Sequence, residues 1–330
     1  MTTLNGLPDY SRRDDVIVIN SYTTVLRRKR TPREVFATYW RDVHGPLCAR
    51  MPGLGWYVQN HFHREQDAHL WPEVEGIGCF ADYDLDGGVE IGFASAEDQA
   101  VFNDNCHLLF ADEQNMFDAT VAYALPSGST TLVDRVAEPV PNGDDGLDRI
   151  HIHFGPADVE ASQFRQFMLD GLARPFAADP AVMKVRLHLP EAYDNARPAP
   201  PAPNVFHNVP RERELIAVME LAFVSPMARR AFYASETFSV TVPGQKVHLA
   251  FASAFAISGV YTYIRNGGLT LAGLRGSRPA QLIEKLGARN QLEEAIWHLL
   301  HTGKPEDQGR RTSYADLSVD RGYVAAAPAS

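Results

Sequence analysis

Residues 31–65 read TPREVFATYWRDVHGPLCARMPGLGWYVQNHFHRE, from Thr31 to Glu65. Thr31, Pro32 and Glu34 form a helix start signal: a hydroxyl cap, a proline in the first turn, and a carboxylate placed to close a capping box. Val35, Phe36, Tyr39, Trp40 and Val43 then recur at three- and four-residue spacing, which predicts one buried helical face. The helix carries His44, and Gly45-Pro46 predicts its end, because proline cannot continue it. After a turn at Pro52-Gly53, Trp56 to His63 reads as a strand. Alternation puts Trp56, Val58, Asn60 and Phe62 on one face, expected to pack under the helix. Tyr57, Gln59, His61 and His63 fall on the other, a hydrogen-bonding row expected to line a cavity.

The ordered pattern F-x-x-Y-W-x-x-x-H-G-P-L from Phe36, followed by P-G-L-x-x-Y-V-Q-N-H from Pro52, resembles the EthD-like members of the dimeric α+β-barrel group. The likeness covers Thr31 to His61, and the pair Asp112–Glu113 is also similar to that family. The resemblance implies an α+β fold: ferredoxin-like βαββαβ units whose sheets close a barrel. It also implies enzymes or small-molecule binders whose chemistry varies, so fold alone does not name a reaction.

Farther along, the same order of elements occurs twice. Strands are expected at Val16–Leu26, across Gly76–Tyr83 and Val89–Phe93, and at Ala119–Leu125, with a helix capped by Ser95 between the last two. Residues 137–147 are a Pro/Gly-rich linker. Strand, helix, strand, strand, helix and strand then follow at Arg149–Phe154, Asp158–Arg174, Val182–Leu189, Leu215–Val224, Ser225–Glu236 and Val247–Ile257. Superposing Phe36 on Phe164 puts Trp40 on Met168 and His44 on Leu172, so the second copy keeps the apolar pattern and loses the motif. The expected organisation is residues 1–136 as the motif-bearing domain and 148–262 as a degenerate second domain. Residues 263–330 complete it with an Asn266-Gly267 hairpin, a long helix from Ala280 to His301 and a polar tail from Lys304.

Composition narrows the function classes. A 330-residue chain that is 45% hydrophobic can build two cores. A net charge of −10 disfavours nucleic acid, with Arg27–Arg30 the sole basic run. Three cysteines without CxxC spacing suit a reducing, cytoplasmic setting, and no apolar run reaches membrane-spanning length. Glycine-rich phosphate loops and a GxSxG elbow are absent from the sequence.

The expected catalytic residues are His44, Tyr57 and His61, with proton transfer by histidine and polarisation of an oxygen by Tyr and Asn donors. Tyr39, Trp40, Arg50, Gln59, Asn60, His63, Arg186 and His188 are the expected substrate-binding residues. Lys184, Arg186 and His188 alternate onto one strand face, as do His151 and His153. Such histidine pairs suit metals in principle, but polar sheet surface is the plainer reading, and no metal or other cofactor is expected. Asp112 and Glu113 either belong to the site or only end a helix, and the structural role is the plainer reading. Together these predict a cofactor-independent lyase, isomerase or cyclase acting on a small aromatic or hydrophobic molecule, with a homodimer as a possible assembly. The alternatives are a haem- or metal-dependent enzyme and a non-catalytic metabolite binder.

Overall fold

The computed structural model describes residues 8–63 and 70–304. Residues 1–7, the start of the loop expected at His69–Glu75 and the tail beyond Lys304 lie outside the described residues. Among the described residues, the chain up to Ser277 forms one compact unit and Arg278 to Lys304 falls in a second. The first unit is mixed α+β with a single large antiparallel sheet.

Its strands are β1 (Ile19–Arg27), β2 (Trp56–Phe62), β3 (Gly87–Phe93), β4 (Phe117–Leu125), β5 (Thr130–Asp134), β6 (Asn142–Gly143), β7 (Asp148–Pro156), β8 (Lys184–His188), β9 (Ala217–Phe223), β10 (Leu249–Arg265) and β11 (Gly268–Leu269). The order is β4-β1-β3-β2-β10-β7-β9-β8-β5. In each half the fourth strand lies beside the first, then the third, then the second. The 17-residue β10 is the joint: Leu249–Ala256 pairs with β7, and Ile257–Arg265 pairs with β2. The Asn266-Gly267 turn joins β10 to β11, both residues at positive φ as a tight hairpin requires.

Alternation sorts the second half cleanly. Ile150, Ile152 and Phe154 of β7, Val185 and Leu187 of β8, and Met219, Leu221 and Phe223 of β9 meet Phe164, Met168, Leu172 and Phe176 in a buried core. The opposite faces turn inward, where Val218, Phe255 and Ile216 pack with Tyr22, Phe62, Val121 and Tyr123 of the first half. One side of the interior is therefore apolar, and the other holds the charged cluster described below.

Several expectations are corrected. The capping box does not form: the helix runs Arg33–Tyr39 with Pro32 at its cap and no side-chain cap bond. Thr31 is instead held in a turn, its N–H donating to the Arg28 carbonyl. Gly45-Pro46 does not end the helix. A π-helical turn spans Trp40–His44, and the chain continues without a break as Gly45–Cys48, with Pro46 forgoing the one helical bond its N–H would have made. Gly45 is required because a Cβ there would stand 2.5 Å from the Tyr263 ring. Phe36 and Trp40 are buried, but Val35 and Val43 are about half exposed, so the buried face is narrower than the spacing suggested. Residues 76–83 are not a strand; Gly78 alone bridges to Phe251.

The helix of the second half carries the same device, a π turn at Phe167–Ala173 followed by Arg174–Ala178 with Pro175 in its first turn. Pro46 and Pro175 therefore hold equivalent places, one residue out of step with the Phe36–Phe164 superposition. In the second unit the expected helix is broken into Ser277–Leu286 and Glu294–Thr302, with Gly287 at φ +63 between them.

Candidate functional site

The polar row of β2 faces the opposite way from the expectation. Tyr57, Gln59 and His61 lie under the first helix, and Trp56, Val58 and Asn60 line a cavity in the sheet interior. The π turn explains the reversal. Its spacing pairs the Trp40 carbonyl with the Gly45 N–H and leaves the Arg41 carbonyl opposite Pro46, which has no N–H to give. Gln59 Nε2 donates to the Trp40 carbonyl at 3.0 Å, and Tyr263 donates to the Arg41 carbonyl at 2.7 Å. Gln59 also binds Tyr57, His61 and Tyr263, completing a buried network. His61 stacks on Trp40 with ring centroids 4.1 Å apart. Burial, then Arg41 and Arg33, push its pKa well below the usual histidine value. It is therefore a neutral packing and hydrogen-bonding group.

His44 sits at the end of the π turn, its Nδ1 2.9 Å from Asp112 Oδ2. Tyr39 donates to the other oxygen of Asp112 at 2.6 Å. Burial alone would raise Asp112, but bonds from His44 and Tyr39 hold it below the usual range. Asp112 thus does more than end a helix. Arg50 donates to the carbonyls of Pro46, Gly273 and Leu274, so it holds backbone. His63 is exposed just past β2. None of His44, Tyr57, Gln59 or His61 lines the cavity; of the expected site residues on β2, Asn60 does.

The interior brings together a different set. Arg186 of β8 grips Glu90 of β3 through two nitrogens, with its Nε 3.1 Å from Oε2. The guanidinium therefore holds the protein's own carboxylate. Asn20 and the Trp56 indole also donate to Glu90, and burial is outweighed so that its pKa lies below the usual value. Glu220 of β9 accepts from His188 Nε2 at 2.9 Å and from Lys184 at 3.2 Å. Burial opposes its ionisation, but Lys184 and His151 together hold it well below the ordinary carboxylate range. Ser129 Oγ lies 2.8 Å from the second ring nitrogen of His188.

A hydrogen-bonded chain runs behind these groups. Tyr83 meets His153 Nδ1 at 2.8 Å, and His153 Nε2 meets Tyr22 at 3.1 Å. Tyr22 in turn meets His151 Nδ1 at 2.8 Å. His151 Nε2 ends the chain 3.8 Å from Glu220. Burial lowers His151 to about 4 and takes His153 well below its usual value. Burial also raises Tyr22 and Tyr83. All four members are neutral near pH 7, and each ring then has one N–H and one acceptor nitrogen. Two directions of donation along the chain satisfy every partner. In one, His151 presents Nε2–H; in the other, bare Nε2.

The cavity beside them measures about 40 Å³. It is walled by Asn60, Glu90, His151, Lys184 and Glu220 with apolar Trp56 and Val260. Sequence reasoning had placed His151, His153, Lys184, Arg186 and His188 on shared faces. It had no signal for Glu90, Glu220 or Tyr22, whose roles depend on which strands meet across the interior.

Residues 28–120 match the model of the EthD domain, so the first half of the chain carries an EthD domain. No curated protein matches the chain. Among solved structures, an anthrone oxidase-like protein superimposes at 10% identity with a TM-score of 0.45, covering 77% of this chain and 96% of that one. A candidate monooxygenase from Lactobacillus acidophilus NCFM does so at 9% identity with a TM-score of 0.41, covering 77% and 98%. A mutant form of chlorite dismutase from Candidatus Nitrospira defluvii gives 10% identity and a TM-score of 0.30, covering 73% and 91%. No helix among the described residues is long and apolar enough to cross a membrane.

Proposed function

We propose that this chain is an enzyme of the lyase or isomerase kind in which two ferredoxin-like units close a barrel and His151 moves protons within it. The relay behind His151 carries the reading. Neutral histidines and tyrosines buried together are a costly way to fill an interior, and buried titratable clusters concentrate at functional sites. With Nε2–H presented, His151 donates to a substrate oxygen. When Nε2 gives up its proton, the protons of Tyr22, His153 and Tyr83 each move one place toward His151 and Tyr83 takes a replacement from solvent; the bare Nε2 left behind accepts a proton from carbon or oxygen as the chain runs back. One residue then serves as acid and base in turn, as a retro-aldol, a dehydration or an enolisation needs. Lys184 and Asn60 stand at the same wall to stabilise negative charge developing on that oxygen.

The cavity bears on the substrate. Pockets for drug-sized ligands enclose roughly 300 Å³ or more, against about 40 Å³ here. The reading favours the reacting end of a small carbonyl or hydroxy compound, with Trp56 and Val260 accommodating an apolar edge, over a polycyclic aromatic. Incubation in D2O with a panel of small enolisable carbonyl compounds, followed by proton NMR, tests it. Carbon-bound deuterium should appear with wild type and with His44→Ala, and vanish with His151→Gln at unchanged melting temperature. Exchange that survives His151→Gln, or no exchange with any compound, would sink the proposal.

The His44–Asp112 pair supports a second reading, in which acid/base chemistry takes place beside the first helix. Its Nδ1 is oriented by a carboxylate, the arrangement that leaves Nε2 as the working nitrogen. Loss of exchange in His44→Ala, with His151→Gln active, would select that reading.

A further inference from the structure

We propose that Glu90, His188 and Glu220 form a binding site for a divalent first-row transition ion, with Zn2+ the preferred occupant among common ions. The three side chains come from β3, β8 and β9, and one donor atom from each lies within 4.8 Å of the others. Twice a Zn–N or Zn–O bond of roughly 2.1 Å is somewhat less than that span, so the donors need close in by only a few tenths of an ångström for one ion to reach all three. All three residues are buried, which presents a partly desolvated ion with a formed site. Glu90 and Glu220 also line the cavity, which supplies a path for the ion and room for water ligands. His151 Nε2, 3.8 Å from Glu220, stands near enough to be recruited as a further donor.

The surroundings of His188 match what a ligating imidazole requires. Its Nε2 points at Glu220, and its Nδ1 is held 2.8 Å from Ser129 Oγ. Metal binding needs a bare Nε2, and so a proton on Nδ1. A hydroxyl both donates and accepts, so Ser129 serves the ring in either tautomer, and His188 can exchange its bond to Glu220 for a metal bond without leaving the other nitrogen unpartnered. Each carboxylate has about four lone-pair positions, so Glu90 can keep Arg186 and Glu220 can keep a second donor while each gives one oxygen to the ion. Imidazole with carboxylates favours transition ions over Mg2+ and Ca2+, and Zn2+ binds more tightly than Mn2+.

The opposing force is the positive charge already there. Lys184 and Arg186 neutralise the two glutamates, so an entering ion meets two fixed cations. This makes the site testable from both sides. The test is independent of the proposed reaction, since binding is measured with no substrate present. Metal-free protein is titrated with ZnCl2 by isothermal calorimetry, with the fold of each variant checked by circular dichroism. Wild type should bind one equivalent, and millimolar Mg2+ should not compete. His188→Ala should weaken binding at least about 100-fold, and Ser129→Ala about tenfold, the lower end of what loss of a supporting partner does. Lys184→Met should tighten it at least about tenfold by removing a like charge. Absence of stoichiometric binding in both wild type and Lys184→Met overturns the proposal. So does binding that His188→Ala and Ser129→Ala leave unchanged.

Discussion

β2 and β8 hold equivalent places in the two halves, and each carries a polar row at alternate positions. On β8 the row Lys184, Arg186 and His188 faces the interior, and Val185 and Leu187 pack under helix. On β2 the row Tyr57, Gln59 and His61 goes under the helix, and Trp56, Val58 and Asn60 face the interior. Both helices contain a π turn, but they satisfy it differently. In the second half the turn rests on Phe164, Met168 and Leu172 in an apolar core. In the first, Gln59 and Tyr263 supply donors to the Trp40 and Arg41 carbonyls. Alternation separates a strand into two sets; the needs of the neighbouring helix decide which set it receives.

The comparison breaks most visibly at the interior ion pair. Glu90→Ala leaves the fully buried Arg186 without its carboxylate and should cost about 3–5 kcal/mol, read as a fall in the urea midpoint. Glu90→Ala combined with Arg186→Met should recover most of that loss. A single mutant near wild-type stability would mean that water reaches the pair freely.

On the helix side, Gln59→Leu removes donors and acceptors from Tyr57, His61, Tyr263 and the Trp40 carbonyl at once. Stability should fall by about 3 kcal/mol, because the orphaned groups stay buried. If Gln59 instead lined the cavity, the variant would be well tolerated, and its effect would be on ligand binding.

A titration sharpens the same side. Burial, with Asp112 adjacent, raises Glu113 to about 7. The unfolded chain loses that proton near pH 4.5, so between the two values the folded state holds more protons and stability falls as pH rises. Glu113→Gln should flatten that decline and add about 2 kcal/mol at pH 8, measured by thermal melts across pH 5 to 8. A parallel pH dependence in the variant would remove Glu113 from the explanation. The smallest effect is expected from Tyr263→Phe, about 1 kcal/mol for the bonds to Arg41 and Gln59, with the ring stacking on Tyr57 retained. A loss above that of Gln59→Leu would show that Tyr263, not Gln59, anchors the π turn.

Much of this molecule was legible before any coordinates. The EthD pattern from Phe36 to His61, the repeated order of strands and helices, the Ser95 cap and the Asn-Gly hairpin depend on neighbours within a few residues, where spacing and backbone preference act directly. So does the shared face of Lys184, Arg186 and His188. The π turns were not legible, since an extra residue in a helical turn leaves the apolar spacing nearly intact while redirecting the carbonyls. Nor were the partners of the interior. Glu90 is 96 residues from Arg186 and Tyr22 is 129 from His151, and β10, shared between β2 and β7, brings those faces together. Local chemistry determined the elements and their two-sided strands. Long-range pairing decided which side became the interior, because buried polar groups go where partners from other strands can satisfy them.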